Sequence, residues 1–207
     1  TAYIFYHTDS ESGHTISQET RLITTTGGAE IHLCTFSDMG RPLGVQPNET
    51  HTGYSEIWQR PSDGLWIAHH LTNLSTEGNA SFGISTSPDL INWTRVTSNA
   101  DATTGLPAGA FVNTRHSINP FVLNGTTYGI VGYWLDGSRH LGICELDSNF
   151  RPLTFIKKIG DFDAYDGGFY VENNIAYVFV YIERDGATGR MLDTDIFQFK
   201  YYLPDAV

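Results

Sequence analysis

Four aromatic and β-branched runs recur along the chain and predict four central β-strands. They occupy residues 2–7, 65–70, 127–133 and 176–181. Such side chains favour strands. Three of the runs follow a turn signal, namely Ser62-Asp63-Gly64, Asn124-Gly125 and Asn173-Asn174, and each turn follows another short apolar segment. The pattern therefore predicts repeats built as strand, hairpin turn, strand, loop and strand.

A second repeated feature follows the aromatic runs. Residues 31–43 align without gaps on residues 141–153, with a Cys and a later Arg-Pro-Leu in both, and residues 83–94 keep the same offsets. Several strands in each of four repeats (roughly 2–46, 53–97, 116–155 and 165–201) are typical of a β-propeller. A β-sandwich is the alternative. The length predicts a single domain over residues 1–207.

The first repeat starts at the strand that is second in the other repeats. We therefore expect its opening inner strand to be supplied elsewhere or to precede Thr1. This expectation matters for function because inner strands line the axis of a propeller.

Composition narrows the classes of partner. The net charge is −11, and lysine occurs only at Lys157, Lys158 and Lys200. A nucleic-acid partner is not expected, since phosphate binding requires clustered Lys and Arg. No run approaches the roughly 18 apolar residues of a membrane span. Cys34 and Cys144 are predicted to be buried free thiols, with one disulfide as the alternative.

Five Asn-x-Ser/Thr triplets suggest a glycoprotein that is secreted or exposed on a surface. They begin at Asn48, Asn73, Asn79, Asn92 and Asn124. Such triplets are acceptors for N-glycosylation outside the cytoplasm. The alternative is that the triplets are unused, as in Thr-rich surface proteins of viruses and bacteria.

Residues 53–97 carry a resemblance to a known family. Glu56 opens an apolar strand, an Asp63-Gly64 turn and an aromatic strand follow, and the segment ends in Ser87-Pro88-Asp89-Leu90 and Trp93. This order resembles one blade of the five-bladed β-propellers of glycoside hydrolase families 43 and 32. The resemblance implies an all-β propeller of four to five blades, with a glycan or polysaccharide as partner.

The same resemblance implies a set of site residues. Glu56 matches the carboxylate that tunes the acid, and Asp166 matches the acid itself; the general base is expected on the opening inner strand before Thr1. His116, within Arg115-His116-Ser117-Ile118, matches a histidine that holds a central metal or water, while a structural polar histidine is the alternative. Sugar-stacking aromatic residues are expected nearby, at Tyr54, Trp58, Trp134 and Tyr165.

Other candidate chemistry is weaker. Asp161, Asp163 and Asp166 could supply oxygen ligands to a structural calcium ion, but the segment lacks an EF-hand pattern, so a solvated acidic loop is expected and no cofactor is predicted. His69 and His70 should point to opposite faces of their strand, which disfavours a shared metal. Ser87, Asp89 and Trp93 are expected to stabilise a turn and to fill the space between adjacent sheets.

Three functional hypotheses follow. The first is a carbohydrate-interacting propeller that resembles glycoside hydrolases and binds, and in its catalytic form hydrolyses, glycans. The second is a non-catalytic receptor-binding or adhesin domain on a virion or cell surface. The third is a protein-interaction scaffold, since propellers host many functions.

Overall fold

A computed structural model describes residues 1–9, 18–28, 30–47, 49–72, 81–112, 118–159, 167–183 and 194–203. These residues form antiparallel strands and one short 3₁₀ helix, Ile31–Leu33. The strands are β1 (Tyr3–Asp9), β2 (Gln18–Thr26), β3 (Thr35–Asp38), β4 (Glu56–Gln59), β5 (Trp66–His70), β6 (Ser81–Ser87), β7 (Thr94–Asp101), β8 (Phe111–Val112), β9 (Ile118–Leu123), β10 (Thr126–Leu135), β11 (Ser138–Leu146), β12 (Pro152–Lys158), β13 (Gly167–Glu172), β14 (Ile175–Glu183) and β15 (Thr194–Tyr202). The all-β prediction is confirmed.

The strands pair into four separate sheets that follow one another along the chain. Their orders are β1-β2-β3, then β4-β5-β6-β7, then β12-β11-β10 with β8 and β9 both on β10, and finally β13-β14-β15. Each sheet overlaps one of the four repeats seen in the sequence. Neighbouring strands along the chain are mostly neighbours in a sheet, because short turns join antiparallel strands.

The chain divides into two compact units. An N-terminal unit, Thr1–Asp101, contains the first two sheets, and a C-terminal unit, Ala102–Val207, contains the other two. The assignment of one domain to residues 1–207 stays a prediction.

Each unit has its own apolar core. In the N-terminal unit, Leu22, Ile67, Leu71 and Ile84 are almost completely buried. In the C-terminal unit the core combines residues of both sheets: Phe121, Leu123, Ile130, Leu141, Ile143, Ile159, Ala176, Val178 and Leu203. Consecutive residues of the central strands β5 and β10 are buried, so both faces of these strands are covered.

The predicted turn signals form hairpin turns. Asn124 and Gly125 join β9 to β10 with φ values of 52° and 84°, and Asn173 and Asn174 join β13 to β14 with φ values of 51° and 62°. Two consecutive residues with positive φ define the type I′ turn, whose twist matches that of the flanking strands. Asn and Gly tolerate this backbone region better than other residues, which explains the signal.

The alignment of residues 31–43 with residues 141–153 does not reflect equivalent positions in the fold. Cys144 lies buried within β11, whereas Cys34 is half-buried between the 3₁₀ helix and β3. Arg151 leads into β12, but Arg41 follows the end of β3. What the segments share is local turn chemistry, because Asp38 and Asp147 each accept a hydrogen bond from the backbone two residues later.

Both cysteines are free, as predicted. Burial was expected for both and holds only for Cys144, where it raises the thiol pKa to about 12. The Cys34 Sγ donates to the Gly27 carbonyl oxygen at 3.0 Å, which fixes the half-buried thiol in the connection between β2 and β3.

Candidate functional site

The start of β4 brings a carboxylate, an indole and an imidazole to one face of the second sheet. Glu56 lies opposite His69 of β5, and Trp58 lies two residues further along β4 on the same face. The ring centroids of Trp58 and His69 are 5.2 Å apart in an edge-to-face arrangement. Glu56 and Trp58 are half-buried, so each remains partly accessible to a ligand.

His69 also belongs to this arrangement, although no sequence pattern predicted it there. Its side chain is nearly buried, and its ring also contacts Phe82 with centroids 4.8 Å apart. Side chains alternate between the two faces of the sheet along β5, and this alternation predicts the face on which His69 lies. Only the register between β4 and β5 places His69 opposite Glu56. We call Tyr54, Glu56, Trp58 and His69 the β4 site.

Tyr54 has an unusual backbone conformation just before β4. Its φ value is 52°, in the left-handed region that bulky residues rarely adopt. The Tyr54 ring lies close to the rings of His7 and His51, with centroids 5.1 and 5.7 Å away. Residues held in such conformations need support from their surroundings and are concentrated at functional sites.

The segment before β4 is held by backbone hydrogen bonds to β2 and to the residue that follows β5. The Thr52 N–H donates to the Gln18 carbonyl at 2.9 Å, and the Leu71 N–H donates to the Gly53 carbonyl at 3.1 Å. The Thr20 hydroxyl hydrogen-bonds the Thr52 carbonyl and lies 2.6 Å from the Ser55 hydroxyl. These contacts tie the segment to β2 and to the end of β5, and so fix Tyr54 and Glu56.

A buried ion pair lies on the opposite face of the same sheet. Arg95 of β7 donates to Glu49 Oε2 at 2.8 Å and to the carbonyl oxygens of Leu43 and Gly44 at 3.1 and 3.0 Å. The Glu49 side chain has no exposed surface. The pair ties the segment that leads to the β4 site onto the sheet, and the isolated positions of Glu49 and Arg95 in the sequence gave no signal of it.

His70 belongs to this second face, which confirms that His69 and His70 point in opposite directions. Its Nε2 contacts the Arg95 guanidinium and the Ser85 hydroxyl. Burial, followed by the charge of Arg95, holds the pKa of His70 well below its usual value. His70 is therefore a neutral partner of the ion pair.

The Ser87–Trp93 turn has the structural role expected of it. The Asp89 carboxylate accepts hydrogen bonds from the backbone N–H and the side-chain amide of Asn92, both at 2.7 Å, and from the Ile91 N–H at 2.9 Å; these bonds lower its pKa to about 2. Trp93 packs edge-to-face on Phe5 of the first sheet, with centroids 6.1 Å apart. The turn thus joins two neighbouring sheets of the N-terminal unit.

Of the residues that the sequence predicted for a site, Tyr54, Glu56 and Trp58 belong to the β4 site. Trp134 lies in β10 of the C-terminal unit, opposite Phe111 of β8, and is half-buried. His116, Tyr165 and Asp166 lie outside the described residues, as do Asp161 and Asp163. Within the described ranges, no three His, Cys, Asp or Glu side chains cluster as metal ligands. No helix there is long and apolar enough to cross a membrane.

Comparison with known proteins identifies the fold. No protein-family model and no curated protein sequence matches the chain. Among solved structures, it is similar to an α-L-arabinofuranosidase from Clostridium thermocellum, with 13% identity, a TM-score of 0.59 and coverage of 96% of this chain and 64% of the other. An exo-β-1,3-galactanase from Phanerochaete chrysosporium with bound β-1,3-galactotriose has 12% identity and a TM-score of 0.59, with coverage of 89% and 42%.

A third similar structure is a family 43 β-1,3-galactosidase with galactodeoxynojirimycin. It has 13% identity and a TM-score of 0.66, and the match covers 97% of this chain and 70% of that one. The chain thus spans less than two thirds of the first two structures. At such low identity the likeness establishes the fold, which confirms what the blade pattern around residues 53–97 implied: the chain has the all-β, propeller-type fold of glycoside hydrolase family 43.

Proposed function

We propose that this protein binds carbohydrate at the β4 site. The observation that carries the proposal is the placement of Glu56 and Trp58 on one face of β4, with His69 directly across from Glu56. An aromatic ring stacks on the C–H face of a sugar, and a carboxylate accepts hydrogen bonds from its hydroxyl groups. Tyr54, held before β4 by its two histidine neighbours, adds a second aromatic side chain.

The ligands of the similar structures suggest the first probes. One contains β-1,3-galactotriose, and another contains galactodeoxynojirimycin. We therefore propose neutral oligosaccharides as the ligand class, with galactose-containing and arabinose-containing chains to be tried first.

Substitution at β4 tests the proposal. Trp58→Ala should weaken binding of the oligosaccharide that wild type binds best by about tenfold, because the ring contact is lost. Gln59→Ala is the matched control, because Gln59 is exposed and lies on the opposite face of the same strand. Equal affinity of wild type and Trp58→Ala in titration calorimetry would refute a carbohydrate site at β4.

The catalytic form of the proposal assigns hydrolysis to Asp166 as general acid, with Glu56 tuning or orienting it. In glycosidases a carboxylic acid protonates the leaving glycosidic oxygen, which is the role proposed for Asp166. Asp166→Asn should then abolish the release of reducing sugar while leaving oligosaccharide affinity unchanged. Unchanged turnover in this variant on every glycan that the wild type cleaves would remove Asp166 from the mechanism.

A non-catalytic receptor-binding or adhesin domain is the second candidate function. Exposed acceptor triplets favour a protein of the cell or virion surface: Asn92 lies in the Ser87–Trp93 turn and Asn124 in a hairpin turn, and both are exposed. Quantitative recovery of intact glycan after tight binding supports this candidate. Reducing-sugar release from the same glycan excludes it. A mass decrease on treatment with an N-glycosidase tests the extracellular location.

A further inference from the structure

The fourth sheet carries an aromatic face that the β4 site does not use. Tyr170 of β13 lies opposite Tyr177 of β14, and Tyr177 lies opposite Lys200 of β15. The same face includes Phe179 and Tyr202, by the two-residue period of the strands. We call these residues the tyrosine face: Tyr170, Tyr177, Phe179, Lys200 and Tyr202.

The two faces of this sheet differ in the kind of residue they carry. Ala176 and Val178 alternate with the aromatic residues of β14 and belong to the buried core of the C-terminal unit. On the tyrosine face, Tyr170 is 47% exposed and Tyr202 is 55% exposed. Small apolar residues thus pack inward, while amphipathic rings with hydroxyl groups face outward.

Three rings of the tyrosine face contact one another. The Tyr170 and Tyr177 rings are stacked with centroids 4.5 Å apart and planes at 3°, and the Phe179 ring lies 6.3 Å from that of Tyr170. Lys200 Nζ lies 5.4 Å from the Tyr177 ring centroid, within the range of a cation–π interaction. Binding to rings that are already fixed costs less conformational entropy than binding to mobile ones.

Polar side chains border the rings, and the one acidic and one basic group among them have opposite charges. Glu172 continues the face along β13, and Gln198 precedes Lys200 on β15; both are exposed. The face therefore offers a carboxylate, an amide and an ammonium group around aromatic surface. One acid and one base suit a neutral ligand rich in hydroxyl groups better than a polyion, since a polyanion would also meet the net charge of −11.

We propose that the tyrosine face is a second binding surface for neutral oligosaccharide. The inference rests on the proposed carbohydrate function and extends it, because the β4 site belongs to the N-terminal unit and the tyrosine face to the C-terminal unit. The sugar hydroxyls form hydrogen bonds with the tyrosine hydroxyl groups, with Gln198 and with Glu172. The C–H groups of the sugar contact the ring edges and the outer ring surfaces.

The test is the number of bound ligands per chain. The probes are β-1,3-galactotriose, arabinotriose and xylotriose, titrated calorimetrically at high concentration. We expect two sites in wild type, and in Trp58→Ala the β4 site should bind about tenfold more weakly while the other site is unchanged. The double variant Tyr170→Ala/Tyr202→Ala should keep the wild-type affinity at the β4 site, with affinity at the tyrosine face lowered at least about tenfold. Tyr3→Ala is the control, because Tyr3 is 39% exposed on β1 and outside both sites.

Each outcome separates this inference from the proposed function. One site in wild type that Trp58→Ala weakens, with no effect of the double variant, refutes binding at the tyrosine face and leaves the proposal for the β4 site intact. No binding of any probe to wild type refutes both. If wild type is a dimer in analytical ultracentrifugation, and the double variant is a monomer with unchanged sugar binding, the face is a protein interface and the inference is wrong.

Discussion

The Glu49–Arg95 ion pair is withdrawn from solvent and joins two distant parts of the chain. Arg95 Nη2 lies 2.8 Å from Glu49 Oε2, and the side chains of Glu49 and Arg95 are 0% and 13% exposed. Removing one partner of a buried pair leaves an uncompensated charge, at a cost of about 3–5 kcal/mol. Glu49→Ala should therefore lower the free energy of unfolding by about that amount in urea titrations.

The Arg60–Asp63 pair provides the control for this prediction. Its atoms are as close, at 2.6 Å, but Asp63 lies on the surface of a turn. Exposed ion pairs contribute little because water and salt screen them. Asp63→Ala should leave the urea midpoint close to that of wild type. A midpoint for Glu49→Ala no lower than that of Asp63→Ala would contradict a structural role for the buried pair.

His70 makes the stability of the N-terminal unit depend on pH. Its pKa in the folded protein lies well below 6.5 because of burial and the nearby Arg95. The unfolded chain therefore takes up a proton near pH 6.5 that the folded chain does not. The contribution of His70 to the free energy of unfolding is fully present above this pH and is lost as the pH decreases below it. As the pH falls below 6.5, His70 should account for a loss of at most about 1 kcal/mol per pH unit.

His70→Gln isolates this contribution from other titrating groups. The variant should be less stable than wild type at neutral pH, because the imidazole is almost fully buried. The loss of stability on acidification should nevertheless be smaller in the variant, because a glutamine takes up no proton. Parallel pH profiles of unfolding free energy in the two proteins would show that His70 is not the titrating group.

At the scale of elements, local turn chemistry was the part of the fold that the sequence specified best. Asn124-Gly125 and Asn173-Asn174 form the predicted hairpin turns because few residues accept two consecutive positive φ values. The same kind of turn signal led to the alignment of Cys34 with Cys144, although these residues occupy different positions in the fold. Asp38 and Asp147 both lie where a strand ends, but β3 is an edge strand and β11 lies between two others, so turn similarity alone does not fix the place of a strand in its sheet.

The connection between β7 and β8 depends on a glycine that the sequence did not single out. Gly105 has a φ value of 71°, and a Cβ at this position would lie 2.6 Å from backbone atoms of Pro152 and Leu153 at the start of β12. Backbone atoms cannot move aside as a flexible side chain can. Gly105→Ala should cost about 3 kcal/mol or more, from the combined clash and backbone strain.

Gly125→Ala distinguishes strain from steric contact. Gly125 also has a positive φ value, of 84°, but nothing lies within 4 Å of a Cβ placed there. Its replacement should cost only about 1 kcal/mol, the backbone penalty alone. If the two alanine variants unfold at the same urea concentration, the packing of Gly105 against β12 does not contribute to stability.

At the scale of the whole molecule, the fold was easier to predict than the site. Repeated strands and turns specify an all-β architecture from short-range patterns. The β4 site depends on the pairing of β4 with β5, which places His69 opposite Glu56 and cannot be inferred from the spacing of either strand alone. Trp134 and Glu56 belong to different compact units, which composition and spacing do not reveal. That Trp134 lines the same site as Glu56 stays a prediction.

The net charge of −11, with only three lysines, gives a prediction for the whole molecule. A neutral oligosaccharide releases no counterions on binding, so its affinity should be the same at low and high salt. Polygalacturonate, a polyanion, should be repelled at low salt and show no binding in affinity electrophoresis. Binding of the polyanion that weakens as salt is added would instead reveal a cationic site, and would contradict a preference for neutral glycans.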